Sequence, residues 1–236
     1  MKKIFFIISG LIFFSVIILE LSFHYKTMST FDFGPKEWIH HTGFPINTPE
    51  GMRNVIKLGY KGIECDVFYS EEEDRFIVAH DLPYKGQKVY LDDLLDILKG
   101  TDVKLWIDFK NASLVNLFKE IKKFKEIDQK LNVNGHYFVE SPDMIHQILL
   151  SRFHVNSISW LRLHSLSRAF YLRNLPNKLG IVLGDFQSIS FPIEHYNEKV
   201  ESTYGHVSKL IFTVNDPKII KKLKNDSTVK VILKDL

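Results

Sequence analysis

The sequence predicts an α/β fold, an eight-stranded (β/α)8 or TIM barrel, preceded by one N-terminal transmembrane helix. A chain of 236 residues has a suitable length for one such barrel. Short runs of β-branched and aromatic residues alternate with longer segments of helical period, which is the pattern of successive βα units. An uncharged apolar run at the start of the chain predicts the membrane helix.

Residues 4–19 carry no charge, and the apolar run continues to residue 23 with Glu20 as an acidic interruption. This length approaches the roughly 20 residues that span a bilayer. Lys2 and Lys3 predict a cytoplasmic N-terminus, with the barrel on the outer side, periplasmic or extracellular. A cleaved signal peptide is the alternative, although no small-x-small cleavage site follows the run. We expect a signal anchor at 1–23, a linker at 24–36 and the barrel at 37–236.

Eight candidate strands and six candidate helices follow the linker. The strands are predicted at 38–41, 62–67, 104–109, 136–140, 157–163, 179–184, 209–214 and 229–233. The helices are predicted at 49–58, 91–98, 114–125, 142–150, 165–173 and 217–223, and the first and last open on proline. A further strand at 76–81 returns after the second. Strand count alone leaves an open, doubly wound sheet as the alternative to a barrel.

Composition excludes several classes of protein. Hydrophobic residues make up 45% of the chain and charged residues 25%, which allows a sizeable core and argues against disorder. The net charge is +3, but the first 27 residues contain three lysines and one glutamate, so the remainder carries about +1. That charge does not suit a nucleic-acid partner. Cys65 is the lone cysteine and excludes an internal disulfide.

Acidic residues inside two apolar strands indicate a site. Glu64 and Asp66 lie two positions apart and therefore share one side of a strand. Asp108 stands near the end of another strand, and Lys110 follows on the same side. Carboxyl ends of barrel strands converge, so the three acids could hold one divalent cation, Mg²⁺ or Ca²⁺. A structural salt bridge to a lysine or arginine is the other interpretation.

Histidines complete the candidate chemistry. His41 and His80 each end a strand-like run, and histidine transfers protons near neutral pH. Cleavage of a phosphodiester requires a base, an acid for the leaving alkoxide and a cation against the phosphoryl oxygens. The two histidines and three acids could supply all of these functions.

The stretch IHHTG…NTPEGM…GYKGIECDVFYSEEEDRFIVAHD resembles the glycerophosphodiester phosphodiesterase family, whose members read H-R-G, E-N-T, E-x-D-V and H-D. WIDFK and IFTVND resemble later segments of that family, so the likeness spans about residues 38–235. It implies a TIM barrel that hydrolyses phosphodiesters with a divalent cation. The implied roles are acid/base catalysis for His41 and His80, metal binding for Glu64, Asp66 and Asp108, phosphate contact for Lys110 and support of the first loop for Asn47.

The sequence departs from the family pattern at several positions. Thr42 stands where the family has an arginine that would clamp phosphate. Asp108 stands where glutamate is usual and is one methylene shorter. His40 adjoins His41, and the H-x-G spacing selects His41. Only residues 82–90 separate the H-D motif from the next helix, where better-known members carry a long insertion, so we expect an open site.

An open site beside a membrane anchor favours a phosphodiester borne by a membrane lipid or a surface polymer. Glu140 and Arg162, at predicted strand ends, are weaker candidates for substrate contact. Two other functions stay open from the residues. The barrel could bind a phospho-ligand without turnover, as the loss of the arginine at Thr42 would allow. It could also act as a lyase that produces a cyclic phosphate.

Overall fold

A computed structural model describes residues 2–28, 30–40, 48–83, 87–165 and 167–235. Its strands are β1 (Glu37–Ile39), β2 (Gly62–Ser70), β3 (Arg75–Val78), β4 (Lys104–Phe109), β5 (Tyr137–Glu140), β6 (Ser159–Trp160), β7 (Ile189–Pro192), β8 (Lys209–Phe212) and β9 (Val229–Lys234). Its helices are α1 (Lys2–His24), α2 (Pro49–Lys57), α3 (Leu91–Leu98), α4 (Leu117–Leu131), α5 (Met144–Arg152), α6 (Phe170–Arg173), α7 (Leu175–Leu183), α8 (Glu198–Tyr204) and α9 (Pro217–Lys224).

Eight of these strands run parallel in the order β5-β4-β2-β1-β9-β8-β7-β6. The two ends of this order meet, because Val139 of β5 bridges Ser157, just before β6. The Val139 amide donates to the Asn156 carbonyl at 2.8 Å, and the Ile158 amide donates to the Val139 carbonyl at 3.0 Å. Strand β3 pairs antiparallel with β2 outside this ring. The predicted (β/α)8 barrel is confirmed.

Local sequence signals set several helix starts. The Thr48 hydroxyl accepts a hydrogen bond from the Gly51 amide at 3.0 Å, and Pro49 occupies the first helical position of α2. Asp216 caps α9 in the same way, before Pro217. These two helices match the predicted segments to within one residue at each end.

The predicted strand at 179–184 is wrong. Residues 179–183 belong to α7 and Gly184 is its C-cap, and the strand of this βα unit is β7, a few residues later. Buried positions in α7 fall at 177, 178, 180 and 181, which is the spacing of one helix face. A short apolar run such as LGIVLG does not distinguish a strand from a buried helix. The predicted helix at 165–173 shortens to α6, and the strand at 157–163 shortens to β6.

Aromatic residues fill the barrel interior below the carboxyl ends of the strands. Trp38, Trp106 and Phe138 are buried there together. Gly62 is required beside them, because a Cβ at this position would lie 2.1 Å from the Trp38 ring. Phe33 is 6% exposed and packs edge-on against Phe138, which closes the amino end of the barrel. The segment predicted as a linker, 24–36, therefore packs against the barrel.

Helix α1 is long and apolar enough to cross a membrane, with a mean hydropathy of 2.1 over Ile7–His24 and only 6% of that window buried. Such a helix occurs both in membrane anchors and in signal sequences. Its last turn joins the folded domain, because Phe23 is 3% exposed and its ring lies 5.5 Å from that of Tyr204. The His206 side chain also contacts the Phe23 carbonyl at 3.0 Å.

A buried histidine–carboxylate pair lies between α4 and α5. His146 Nε2 is 2.6 Å from a Glu120 carboxylate oxygen, and both side chains are fully buried. The other ring nitrogen lies 3.3 Å from the Ser141 hydroxyl. This series resembles a hydrolase triad in its residue types, but its burial gives a substrate no access. Ser141 follows directly on the end of β5, so the pair fixes the loop that leaves that strand.

We expect Glu120→Gln to destabilise the fold by about 3 kcal/mol, because it removes the carboxylate that pairs with a fully buried histidine. That loss corresponds to a decrease in Tm of roughly 6–12 °C for a domain of this size. Glu126→Gln, in the same helix but on exposed ion pairs, is the control and should cost less than about 1 kcal/mol. Thermal unfolding followed by circular dichroism measures both variants. Equal losses would contradict the structural role assigned to the buried pair.

Candidate active site

A cavity of about 400 Å³ opens at the carboxyl ends of the barrel strands. Active sites of TIM-barrel enzymes occupy this end of the fold. The cavity combines acidic, basic and aromatic side chains. Its lining residues are His40, Glu64, Trp106, Asp108, Lys110, Glu140, Pro142, Trp160, Phe212, Thr213 and Leu233.

Strand register brings the acidic residues together. Asp66 of β2 pairs with Asp108 of β4, and Asp108 pairs with Glu140 of β5. Glu64 lies two positions before Asp66 and faces the same interior, whereas Cys65 between them is buried on the helix-facing side. One carboxylate oxygen from each of Glu64, Asp66 and Asp108 lies within 4.8 Å of the others.

Lys110 lies against this cluster. Its ammonium is 2.6 Å from Asp66 Oδ1 and 2.5 Å from Asp108 Oδ2. Burial alone would lower the pKa of Lys110, but Asp108 and Asp66 raise it above its ordinary value. Lys110 is therefore charged at neutral pH, and the salt-bridge interpretation of these acids applies to part of the cluster.

Negative charge remains in excess after Lys110 is counted. The pKa of Asp108 is raised to about 6, mainly by burial and to a smaller extent by Glu64 and Asp66, while Lys110 acts in the opposite direction. Burial, together with the charge of Asp108, also raises the pKa of Glu140 to about 8. The pocket thus favours added positive charge, either protons or a metal cation.

Glu140 is held by two neutral donors. The Trp106 indole donates to Glu140 Oε2 at 2.8 Å, and the Ser190 hydroxyl donates to Oε1. Sequence reasoning missed both donors. Trp106 could have been found, because it lies two residues before Asp108 on the same face of β4. Ser190 could not have been found, because the sequence prediction placed the strand of this βα unit at 179–184 rather than at β7.

His40 lines the cavity, with Nε2 3.6 Å from Glu64 Oε2 and Nδ1 3.5 Å from Asp235 Oδ1. The sequence argument selected its neighbour His41 instead. His41 and Asn47 lie outside the described residues, so their predicted roles stay predictions. His40 is a histidine that sequence reasoning had set aside, and its contact with Glu64 places it beside the acidic cluster.

His80 lies past the end of β3, which runs back along β2 toward the acidic cluster. The Ala79 amide donates to the Asp66 carbonyl at 3.1 Å, so His80 follows a residue bonded to the acidic strand. Its side chain is 56% exposed and lies 3.0 Å from the Asp81 carboxylate. It does not line the cavity, and its catalytic role stays a prediction.

Two residues at the rim complete the site. Arg162 is exposed, and its guanidinium lies 5.3 Å from the centre of the Trp160 ring, which lines the cavity. Thr213 also lines the cavity and has a φ of 59°, which is unusual for a β-branched residue. Of the weaker candidates, Glu140 lies inside the cavity and Arg162 at its edge.

The acidic residues fit a hard divalent cation. Their oxygens lie close enough together to surround an ion with ligands at about 2.0–2.6 Å, as Mg²⁺ and Ca²⁺ require. Carboxylate oxygens, without a clustered cysteine or histidine set, favour these ions over zinc. The donor set does not select between Mg²⁺ and Ca²⁺.

No family model and no curated protein matches this sequence. Solved structures do match. A chain from Galdieria sulphuraria, provisionally assigned as a glycerophosphodiester phosphodiesterase, aligns with a TM-score of 0.65 and 13% identity over 85% of this chain and 94% of its own. A glycerophosphodiester phosphodiesterase from Parabacteroides distasonis aligns with a TM-score of 0.61 and 14% identity, over 87% of this chain and 94% of its own. A phosphodiesterase from Oleispira antarctica, solved in complex with the product sn-glycerol-3-phosphate, aligns with a TM-score of 0.62 and 14% identity. The alignment covers 85% of this chain and 92% of the Oleispira chain.

At these identities the likeness is one of fold. The protein has the barrel of the glycerophosphodiester phosphodiesterases, which are phosphoric diester hydrolases, and the fold implied by the sequence resemblance is confirmed.

We expect Mg²⁺ or Ca²⁺ to raise Tm, because a cation would offset the excess negative charge of the cluster. At about 100 times its Kd, the ion would add about 2.7 kcal/mol, or roughly 5–11 °C. Asp108→Asn should abolish the increase, whereas Asp96→Asn, on an exposed face of α3, should retain it. Differential scanning calorimetry with and without EDTA measures the effect. An equal increase in both variants would place the cation elsewhere.

Proposed function

We propose that this chain is a metal-dependent phosphodiesterase that hydrolyses a glycerophosphodiester-like bond by histidine acid/base catalysis. The observation that carries the proposal is the convergence of Glu64, Asp66 and Asp108 beside Lys110 at the carboxyl end of the barrel. The fold neighbours support the same reaction class. The product bound to the Oleispira enzyme, sn-glycerol-3-phosphate, supports a glycerol-containing phosphodiester as the substrate of this chain.

Each group has a distinct task in this proposal. A divalent cation held by the three carboxylates would supply positive charge against the phosphoryl oxygens as the phosphorus is attacked. Lys110 would donate a hydrogen bond to another phosphoryl oxygen, which partly replaces the arginine absent at Thr42. Glu140, held by Trp106 and Ser190, would accept from a substrate hydroxyl or donate when protonated.

His41 and His80 are the proposed proton carriers. One would remove the proton from the attacking nucleophile, and the other would protonate the leaving alkoxide. His40 is a positioning residue in this scheme, because its ring bridges Glu64 and Asp235. These contacts would fix the backbone that carries the adjacent His41.

The proposed location is the membrane, with α1 as an uncleaved anchor, the N-terminus in the cytoplasm and the barrel outside. Lys2 and Lys3 support this orientation. The burial of Phe23 in the domain core supports retention of the helix, because cleavage after the apolar run would remove a core residue.

A barrel that binds a phospho-ligand without turnover is the second candidate. The observation that favours it is the pairing of Lys110 with both Asp66 and Asp108, which partly neutralises the cluster without a metal. Such a protein would bind phosphate esters without a cation, and its affinity would be insensitive to EDTA.

We expect His41→Ala and His80→Ala each to lower kcat/KM at least a hundredfold, because loss of a general acid or base typically costs 10²–10⁴. The assay follows hydrolysis of bis(p-nitrophenyl) phosphate and glycerophosphodiesters by the full chain in detergent with Mg²⁺ or Ca²⁺. Phosphorus NMR of the product distinguishes hydrolysis from lyase cleavage to a cyclic phosphate.

His154→Asn is the control for these variants. His154 is exposed with a φ of 64°, a conformation that asparagine tolerates, so the activity should not change. His40→Ala tests the positioning role, and His40→Gln should restore part of the lost rate. Full activity of His41→Ala together with inactive His40→Ala would reverse the assignment of the two histidines. Absence of metal-dependent turnover in folded wild-type protein would refute the proposed phosphodiesterase activity.

A further inference from the structure

Helices α1 and α7 lie side by side and point the same way. Lys178 donates to both carboxylate oxygens of Glu20, at 2.6 and 2.7 Å. Six residues later, just past the end of α1, the Lys26 ammonium lies 3.5 Å from the Val182 carbonyl and 3.7 Å from Asp185. The end of α1 and helix α7 therefore run in the same direction.

The direction of α7 is fixed by the barrel. Near its start, the Asn177 side-chain Nδ2 donates to the Arg162 carbonyl, just past the carboxyl end of β6. At its end, the Leu183 carbonyl accepts from Arg152, at the end of α5 and before β6 begins. Helix α7 thus runs from the cavity end of the barrel to the opposite end, and so does the last part of α1.

The first part of α1 consequently extends beyond the cavity end of the barrel. Val16 is half-buried, whereas every residue from 7 to 15 is exposed. At 1.5 Å per residue, residues 2–15 would project by roughly 21 Å. A bilayer core of about 30 Å needs about 20 residues, so a span that starts at Ile4 must reach about Phe23. With α1 as the proposed anchor, the cavity end of the barrel therefore lies close to the membrane.

The surface next to this helix suits an anionic membrane surface. Tyr171 shares a groove with Glu20 and Lys178. Tyr171 and Leu172, both in α6, are 59% and 70% exposed. Residues 162–184 contain three arginines and one lysine but no acidic residue. Exposed aromatic and aliphatic side chains beside arginines are typical of the interfacial layer.

We propose that the cavity end of the barrel rests on the bilayer that holds α1, with α6 in the headgroup layer, and that the substrate is a phosphodiester headgroup of a lipid in that bilayer. The substrate part of this proposal rests on the proposed function. Arg168 and Arg173, both exposed, would contact anionic headgroups around the cavity. A lipid headgroup could then enter the site without leaving the membrane.

Membrane contact is tested independently of turnover. Cys65 is buried, so Leu172→Cys offers one reactive thiol in the full chain, and Lys99→Cys offers a control at the opposite end of the barrel. Each variant is labelled with an environment-sensitive fluorophore in vesicles of phosphatidylcholine with phosphatidylglycerol. We expect shallow brominated lipids to quench the label at 172 at least threefold more than the label at 99. Equal quenching would overturn the docking proposal.

The substrate class is tested by turnover in the same vesicles. Arg168→Gln/Arg173→Gln should lower hydrolysis of a fluorescent lysophospholipid about fivefold or more, because each arginine near an anionic surface contributes about that factor. Hydrolysis of bis(p-nitrophenyl) phosphate should stay within about twofold of wild type, a margin well below the fivefold effect of one arginine. Lys57→Gln/Lys99→Gln, at the amino ends of the strands, is the charge-matched control and should change neither rate.

The outcomes separate the two proposals. Hydrolysis of the soluble diester without hydrolysis of the lipid would overturn the lipid substrate and leave the proposed function intact. Hydrolysis of neither diester would refute the proposed function, while the label at 172 would still decide the docking. Equal loss of both rates in the arginine variant would contradict a membrane role for these residues.

Discussion

The concentration of carboxylates in the barrel interior is the constraint on which the rest of the structure depends. Glu64, Asp66 and Glu140 are almost fully buried, and Asp108 lies between them. Unpaired carboxylates in such a setting would be costly. Lys110 compensates part of that charge. Protonation, which the raised pKa values of Asp108 and Glu140 favour, compensates another part, and a divalent cation fits the remainder.

The barrel keeps these acids in place through their surroundings. Parallel register sets Asp66, Asp108 and Glu140 side by side, and the aromatic layer beneath them excludes water. Trp106 belongs both to the aromatic layer and to the acidic site, because its ring packs in this layer while its N–H donates to Glu140. Behind β5, the buried Glu120–His146 pair secures the loop that leaves the strand. A polar site of this kind requires a rigid apolar support.

Helix α1 and the barrel form one packed unit rather than a tether and a free domain. Phe23 belongs to the hydrophobic core, Glu20 is neutralised by Lys178, and Phe33 closes the amino end of the barrel. Glu20, the acidic residue inside the apolar run, is thereby explained. The same contacts fix the direction of α1 relative to the cavity end of the barrel.

The sequence by itself determined the alternation of strands and helices over most of the chain and the side of β2 on which Glu64 and Asp66 lie, whereas closure into a barrel was implied by the family resemblance. The first two features follow from local periodicity, caps and the alternation of strand faces. It misplaced β7, because LGIVLG has the composition of a strand but the environment of a helix face. Only the tertiary structure decided that Trp106 and Ser190 hold Glu140, that His40 contacts Glu64 and that α1 points past the cavity. These relations join residues distant in the chain, and packing rather than local preference fixes them.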